Sequence, residues 1–449
     1  MRKSLSRFFI FILLMLAAVL IGAVAAYLYR ESSNADGSND GAVGIPFLTP
    51  EKEESKEYSR IENKALTKPS EEEDDTISTY AYDALSGENL RYLYEKLDES
   101  VYRISDEMSE DGRYKTKLIE VTGVEYSSGD INVAINAYLY DHPQVFWIDN
   151  YFGYHSDENV TYVECYSVLS GNQCELYIEK FNEALGQMLA DIDEGDGQYE
   201  REKILHDKLL EKCSYKKGVD SIEDGWQYFS AYGAIVDGEA VCEGYSKAMM
   251  LLLNLAGVDC ATIRGKGEGN EQEWERHMWN VVKIGEDWYH LDSTWDDSED
   301  NDVLYDFFNL TTEAVRADHI PDIELSEATY LDDFSYNFFI PECTSTEMNY
   351  FYRDGVVINS LDDKANDDIA DKIYDLSTRG EYLVYIMIGD DVYYDDFMNL
   401  MLKNGGNQFY DCIERVNNYV GKEVYSTRHC HLTENPRRKT LRVRLADAE

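Results

Sequence analysis

Three side chains carry the makings of thiol chemistry. Cys242 opens the run "CEGYSKAMMLLLNLAG"; His277 follows 35 residues later in "RHMWNVVKI", and Asp292 follows 50 residues later in "DWYHLDST". A thiol attacks as thiolate, and both a helix N-terminus and a neighbouring imidazolium favour that form. A carboxylate beside the imidazole fixes its tautomer and stabilises its charged state. Backbone N–H groups at the head of a helix, that of Cys242 among them, suit a developing oxyanion.

The elements that must bring these groups together are legible locally. Ala248, Met249, Leu251, Leu252, Leu253 and Leu255 leave the run behind Cys242 apolar nearly all round, as in a buried helix, and Gly257 suits its C-terminal cap. "RHMWNVVKIGEDWYHLDST" reads as a hairpin turning at Ile284 to Asp287. A two- or four-residue loop pairs Lys283 with Trp288, which sets Trp279 opposite Asp292 and His277 opposite Thr294. His277 and Asp292 are then same-face diagonal neighbours, about 7 Å apart at the backbone. A three-residue loop would send them to opposite faces.

"AYGAIVDGEAVCEGYSKAMMLLLNLAGVDC" and "RHMWNVVKIGEDWYHLDSTWDD" resemble the transglutaminase-like superfamily, papain-like thiol enzymes in which Cys, His and Asp occur in this chain order. The likeness covers roughly residues 198–300 and begins at the helix "EREKILHDKLLEKCSY". It implies an α+β fold whose papain-like core packs a nucleophile helix on antiparallel strands, with accessory α/β domains on either side. It also implies Cys242 as nucleophile, His277 as general base and acid, and Asp292 as orienting carboxylate. Trp279, Trp288 and Thr294 match residues that usually accompany the His and Asp blocks. Tyr232, in "SAYGAIVDG", is the side chain read as assisting the oxyanion, with Trp279 and Trp288 as pocket candidates.

The chemistry implied is attack on a protein or peptide amide, loss of the amine, and a thioester resolved by a second amine or by water. No cofactor or metal enters it. The superfamily holds cross-linking transferases, peptidases or amidases, and members without activity, so a surface binding module that keeps the fold is the alternative. "AYLYDHPQVFWID" and "FFNLTTEAVRADH" resemble recurring stretches of bacterial exported members.

Other residues invite competing readings. His206, in "ILHDKLL", falls on the polar side of an amphipathic helix and reads as structural, while His290 shares a face with Asp292 but sits on the same strand. "DSTWDDSEDND" fails the calcium-loop pattern: counted from Asp296, position six is Asn301 and position twelve is Phe307, so an acidic solvated rim is expected. His429 and His431 alternate on one strand but lack a third ligand. "GKGEGN" has Asn270 where a dinucleotide fingerprint needs Gly and reads as a loop before the His277 strand. None of the eight cysteines forms a C-x-x-C pair; Cys165 and Cys174 flank "SVLSGNQ" and read as a bridge or as two reduced thiols.

The chain as a whole narrows the partners. Its 449 residues carry 88 acidic and 41 basic side chains, a formal net charge of −47, which repels nucleic acid and favours neutral or cationic partners. Phe8 to Leu28 is uncharged, preceded by Arg2, Lys3 and Arg7, and reads as a single membrane-spanning signal anchor, or as a cleaved signal peptide ending at Ala23-Val24-Ala25. Either reading places the body outside the cytoplasm, where cell-wall peptides count among the substrates. The expected units are an anchor at 1–30, an acidic disordered linker at 31–78, a mixed α/β domain at 79–197, the transglutaminase-like domain at 198–340, and a small α/β domain at 341–449.

Overall fold

A segment with no polar face cannot lie on a surface, and the run behind Cys242 is enclosed. In the computed structural model, which describes residues 59–61, 78–157, 159–219, 221–222, 225–269, 273–297, 303–328 and 336–448, it forms a helix, Cys242–Leu255, with Met249, Met250, Leu251, Leu252 and Leu253 fully buried. Each such side chain contributes about 1.5–3 kcal/mol of burial. The helix ends at Gly257, whose φ of 76° is the left-handed conformation a C-terminal cap requires. Asn254 then turns the chain: its side chain exchanges two hydrogen bonds with the backbone of Cys260, of 2.9 and 3.0 Å, and starts the next strand.

The elements that build the site are helix α1 (Gln198–Lys212), helix α2 (Cys242–Leu255), strands β1 (Cys260–Glu268), β2 (Trp274–Ile284) and β3 (Asp287–Leu291), the one-turn helix α3 (Ser293–Asp296) and the short strand β4 (His319–Pro321). The sheet order is β3-β2-β1-β4, antiparallel throughout, and α2 packs on β1 and β2. This is the α+β core in which a helix carries its N-terminal residue to the face of an antiparallel sheet.

The hairpin has a two-residue loop: Ile284 pairs with Asp287 and Lys283 with Trp288, and Gly285 at φ 64° supplies the positive φ such a loop favours. The ladder stops at Asn280 and Leu291, so the expected cross-strand pairs Trp279–Asp292 and His277–Thr294 do not form. Asp292 leaves the strand instead and caps α3, accepting from the N–H groups of Thr294 and Trp295 at 3.0 and 3.3 Å.

"GKGEGN" also departs from expectation. Gly265 to Glu268 continue β1, held between β2 and β4, because the bare glycines let aromatic rings lie against the strand. A Cβ on Gly267 would stand 2.7 Å from the ring of Trp295, and one on Gly265 would stand 2.9 Å from the ring of Trp279.

N-terminal to this core, strands Ser59–Arg60, Arg103–Met108, Tyr114–Thr116, Ile119–Thr122, Ile148–Asp157 and Val160–Ser167 form a six-stranded sheet, flanked by helices Glu88–Val101, Ser128–Asp141 and Gly171–Leu189. Ser59–Arg60 lies within the stretch expected to be a solvated linker, yet it pairs with Arg103–Ile104, and Ile61 is buried. One apolar cluster runs from Ile61 through the α2 helix to Tyr385. A second cluster fills the C-terminal unit, where strands Val356–Ile358, Leu383–Ile388, β5 (Tyr425–Asn435) and β6 (Thr440–Asp447) are covered by helices Asp363–Arg379, Tyr394–Met401 and Gln408–Val420. All eight cysteines are free, Cys165 and Cys174 included; Cys174 lies in the first turn of a helix capped by Ser170.

The expectation of a signal anchor, and with it of a single-pass protein with its body outside the membrane, is corrected. Among the described residues no helix is long and apolar enough to cross a membrane. The longest, Gly171–Leu189, has 19 residues but carries Glu175, Glu179, Lys180 and Glu183. The Phe8–Leu28 run on which the anchor, the membrane partner and the location rested lies outside the described residues.

Candidate functional site

Cys242 takes its place from α2, and α2 is fixed to β2 beside it. One turn into the helix, Ser246 Oγ donates to the Met278 carbonyl at 2.9 Å, and Asn280 Nδ2 donates to the Ser246 carbonyl at 2.9 Å. Met278 is the residue after His277, so these two bonds set the spacing between thiol and imidazole. Cys242 is half-buried. The N-cap, Val241, offers no side-chain acceptor to the first-turn amides, which leaves them directed at whatever approaches the thiol.

His277 Nε2 donates to Asp292 Oδ2 at 2.6 Å, and the Cys242 thiol lies near enough to the same imidazole to favour its protonated form. Burial alone would push the imidazole down, but Asp292, and after it Cys242, raise it well above the ordinary histidine value. Burial alone would raise Asp292; His277, with His319 behind it, holds its carboxyl well below the usual range. A buried imidazolium and carboxylate in direct contact form an ion pair aimed at the thiol.

Two indoles sandwich the imidazole: Trp295 at 5.0 Å between ring centroids and Trp279 at 6.1 Å, both within 30° of parallel. The Trp279 Nε1–H donates to His290 Nδ1 at 3.1 Å. His290 therefore serves Trp279 rather than the thiol, and burial, with smaller contributions from His319 and Arg316, pushes it down to about 3, keeping it neutral.

The remaining candidates fall elsewhere. Tyr232 packs among Phe146, Tyr177, Phe181 and Trp226 at 4.9–6.1 Å, with no ring contact to the three central residues among those described. Trp288 packs against Tyr80 and Phe339, while buried Thr294 gives its N–H to Asp292. His206 is not on a polar surface: it is fully buried, with Nδ1 3.1 Å from Asp207 and Nε2 3.4 Å from Asp296, and so braces α3 from behind. His429 and His431 lie exposed on β5, and part of the acidic stretch, residues 298–302, lies outside the described residues.

Sequence reasoning missed four residues. Trp295 stands three residues after Asp292, where a one-turn helix folds its ring onto His277. His319 arrives on β4, with its Nε2 3.0 Å from Asp292 Oδ2 and its Nδ1 2.7 Å from Asp318 Oδ1. Arg437 and Arg438 come from the β5–β6 turn. His319 is delivered by the pairing of β4 with β1, and the two arginines by a hairpin of the C-terminal unit, so no pattern local to those three residues signals the site.

A cleft of about 910 Å³ opens on this side, its lining including Tyr215, Glu268, His277, Trp295, Phe307 and Arg437, though not Cys242. His277, Asp292 and His319 present ligand-type atoms within 4.8 Å of one another. The two His–Asp separations, 2.6 and 3.0 Å, are hydrogen-bond lengths. Two ligands of one tetrahedral zinc, each about 2.0–2.2 Å from the metal, stand about 3.3 Å or more apart. The cluster is thus built as a proton-sharing network, not as a coordination sphere.

The structure thus brings a thiol, an imidazole and a buried carboxylate to one helix head on an antiparallel sheet. Residues 187–293 match the family described as the transglutaminase-like superfamily, a span that contains Cys242, His277 and Asp292, and the chain carries a transglutaminase-like core. No curated protein matches the chain. Solved structures similar to it include the following two. One, described as a TGase, is 11% identical with a TM-score of 0.24, over 40% of this chain and 52% of the other. The second, a candidate cysteine protease from Cytophaga hutchinsonii, is 11% identical with a TM-score of 0.21, over 42% of this chain and 68% of the other. The chain thus spans about half the length of the first.

Proposed function

We propose that this protein is a thiol enzyme that opens protein or peptide amides through a thioester on Cys242. The observation that supports it is the placement of His277, hydrogen-bonded to Asp292 and held beside the helix that Cys242 opens by the Ser246–Met278 and Asn280–Ser246 bonds. The Cys242 sulfur bonds to the amide carbon while the first-turn amides of α2 receive the oxyanion. As the carbon–nitrogen bond breaks, the His277 imidazolium gives its proton to the departing amine. Neutral His277 then removes a proton from an incoming amine or water, which expels the thiolate and restores the ion pair.

Mass spectrometry of a protein substrate pool incubated with the purified chain and a labelled primary amine tests this reading. Amine incorporated at glutamine side chains identifies a transferase; new termini or deamidated glutamines identify a hydrolase. Either product must disappear in Cys242→Ala. Identical products from wild type and Cys242→Ala, or none from wild type, would leave the fold to a binding role.

A further inference from the structure

The β5–β6 turn, "NPRRK", reaches from the C-terminal unit to the back of the site. Arg437 pairs with Glu268 on β1 and donates to the Ala317 carbonyl. Arg438, nearly buried, donates to the Ala314 carbonyl at 2.6 Å and pairs directly with Asp318. The other face of its guanidinium covers the ring of Phe307 at 4.6 Å, and Phe307 meets Trp295 edge-on.

Asp318 and Asp292 are both 2% exposed, and the fully buried His319 spans them with one ring nitrogen on each. A continuous line of contacts therefore runs Arg438, Asp318, His319, Asp292, His277. Asp292 receives four hydrogen bonds along it: two from the amides of α3, one from His277 and one from His319. A carboxylate so held has one orientation, and the imidazole it supports inherits that orientation. Of this line, His277 is the member beside the thiol, and neither Arg437 nor Arg438 belongs to the apolar cluster that fills the C-terminal unit.

We infer that Arg438 and His319 are positioning residues of the Cys242 site: the C-terminal unit fixes the Asp292 carboxylate, and through it His277, by way of Asp318 and His319. This rests on the proposed thiol chemistry and assigns the C-terminal hairpin a part in it. A hairpin that merely stabilised the fold would lower the melting temperature of its variants without acting through one histidine.

The test uses the full chain and the neutral alkylating agent iodoacetamide, with carboxamidomethylation of Cys242 followed by peptide mass spectrometry at pH 6, where an unassisted thiol is almost wholly protonated. Arg438→Gln is expected to slow alkylation about tenfold in folded protein, and Arg438→Lys to regain most of that loss. In a His319→Leu background, itself slow, Arg438→Gln should add nothing further. His319→Gln takes the place of His319→Leu if the latter does not fold. Unchanged alkylation in Arg438→Gln, or the same added loss with and without His319, overturns the inference alone. A wild-type rate no faster than that of a free thiol removes the proposed function, and this inference with it.

Discussion

His277 Nε2 stands 2.6 Å from Asp292 Oδ2, and this contact leaves Nδ1 as the ring nitrogen open to Cys242 in the proposed chemistry. The contact also sustains the charge: a buried imidazole without its carboxylate would lose its proton, and the thiol would lose the cation that favours thiolate.

Asp292→Asn removes that charge at nearly constant volume and leaves two buried histidines, His277 and His319, facing an amide. Breaking a buried ion pair from one side costs about 3–5 kcal/mol, and losing the orienting carboxylate in a triad costs about 10²–10⁴ in rate. The variant is expected to melt lower and, at temperatures where it is folded, to label with an amide or thioester probe at Cys242 at least a hundredfold more slowly. A less stable variant that labels at the wild-type rate would show that the carboxylate is only structural.

Gly267→Ala probes the approach of the aromatic rings. The added Cβ would stand 2.7 Å from Trp295 and 3.3 Å from His277 Cδ2, so Trp295 must shift and the His277 ring must give by a few tenths of an ångström. Overpacking of this kind costs about 1–3 kcal/mol. The expected result is a modest loss of thermal stability with a larger proportional loss of Cys242 labelling, since the displaced rings are those at the site. Equal activity in Gly267→Ala would mean that the ring sandwich does not orient His277.

How far the sequence revealed this arrangement depends on the range of the contact. The helix behind Cys242 and the two-residue hairpin follow from apolar patterning and turn chemistry within about fifteen residues. The meeting of His277 and Asp292 was also legible, but for a different reason than the register suggested. The ladder ends one residue short of Asp292, and the contact comes from Asp292 turning out of β3 to cap α3, a choice made by the amides of Thr294 and Trp295. His206 is structural, as its helix pattern suggests, but its burial is not local information, because a polar helix face can still be covered by another element, here the segment bearing Asp296. His319 and Arg438 lie 27 and 146 residues from Asp292 in the chain, and no local pattern encodes pairings at that distance.

Ser246→Ala tests whether the helix head is held by its own hydrogen bonds. Ser246 is 1% exposed, and its hydroxyl is bonded to the carbonyl beside His277. Losing a buried hydroxyl partner costs about 1–3 kcal/mol. The melting temperature is expected to fall by a few degrees, while Cys242 labelling falls more than the change in folded population explains, because the thiol–imidazole spacing loosens. Labelling that tracks the folded fraction alone would assign Ser246 to stability and not to the site.

Glu202 sets the pH range over which the scaffold behind α3 is stable. It is fully buried on α1, with Oε2 accepting from Asn309 Nδ2 at 2.7 Å. Burial pushes its carboxyl up to about 8, against the opposing influence of Asn309 and His206, and burial likewise pushes Asp296 up to about 7. A carboxyl that binds its proton more tightly when folded stabilises the fold fully below its unfolded value of about 4.3 and loses that contribution as pH rises through the folded value. Wild type is therefore expected to lose stability progressively from about pH 5 to pH 9. Glu202→Gln stays neutral and can still accept from Asn309, so its melting temperature relative to wild type should climb steadily over that interval and exceed it at pH 9. A difference that stays constant from pH 5 to pH 9 would show that Glu202 is already ionised in the folded protein, stabilised as the anion by His206 on the next turn of the same helix.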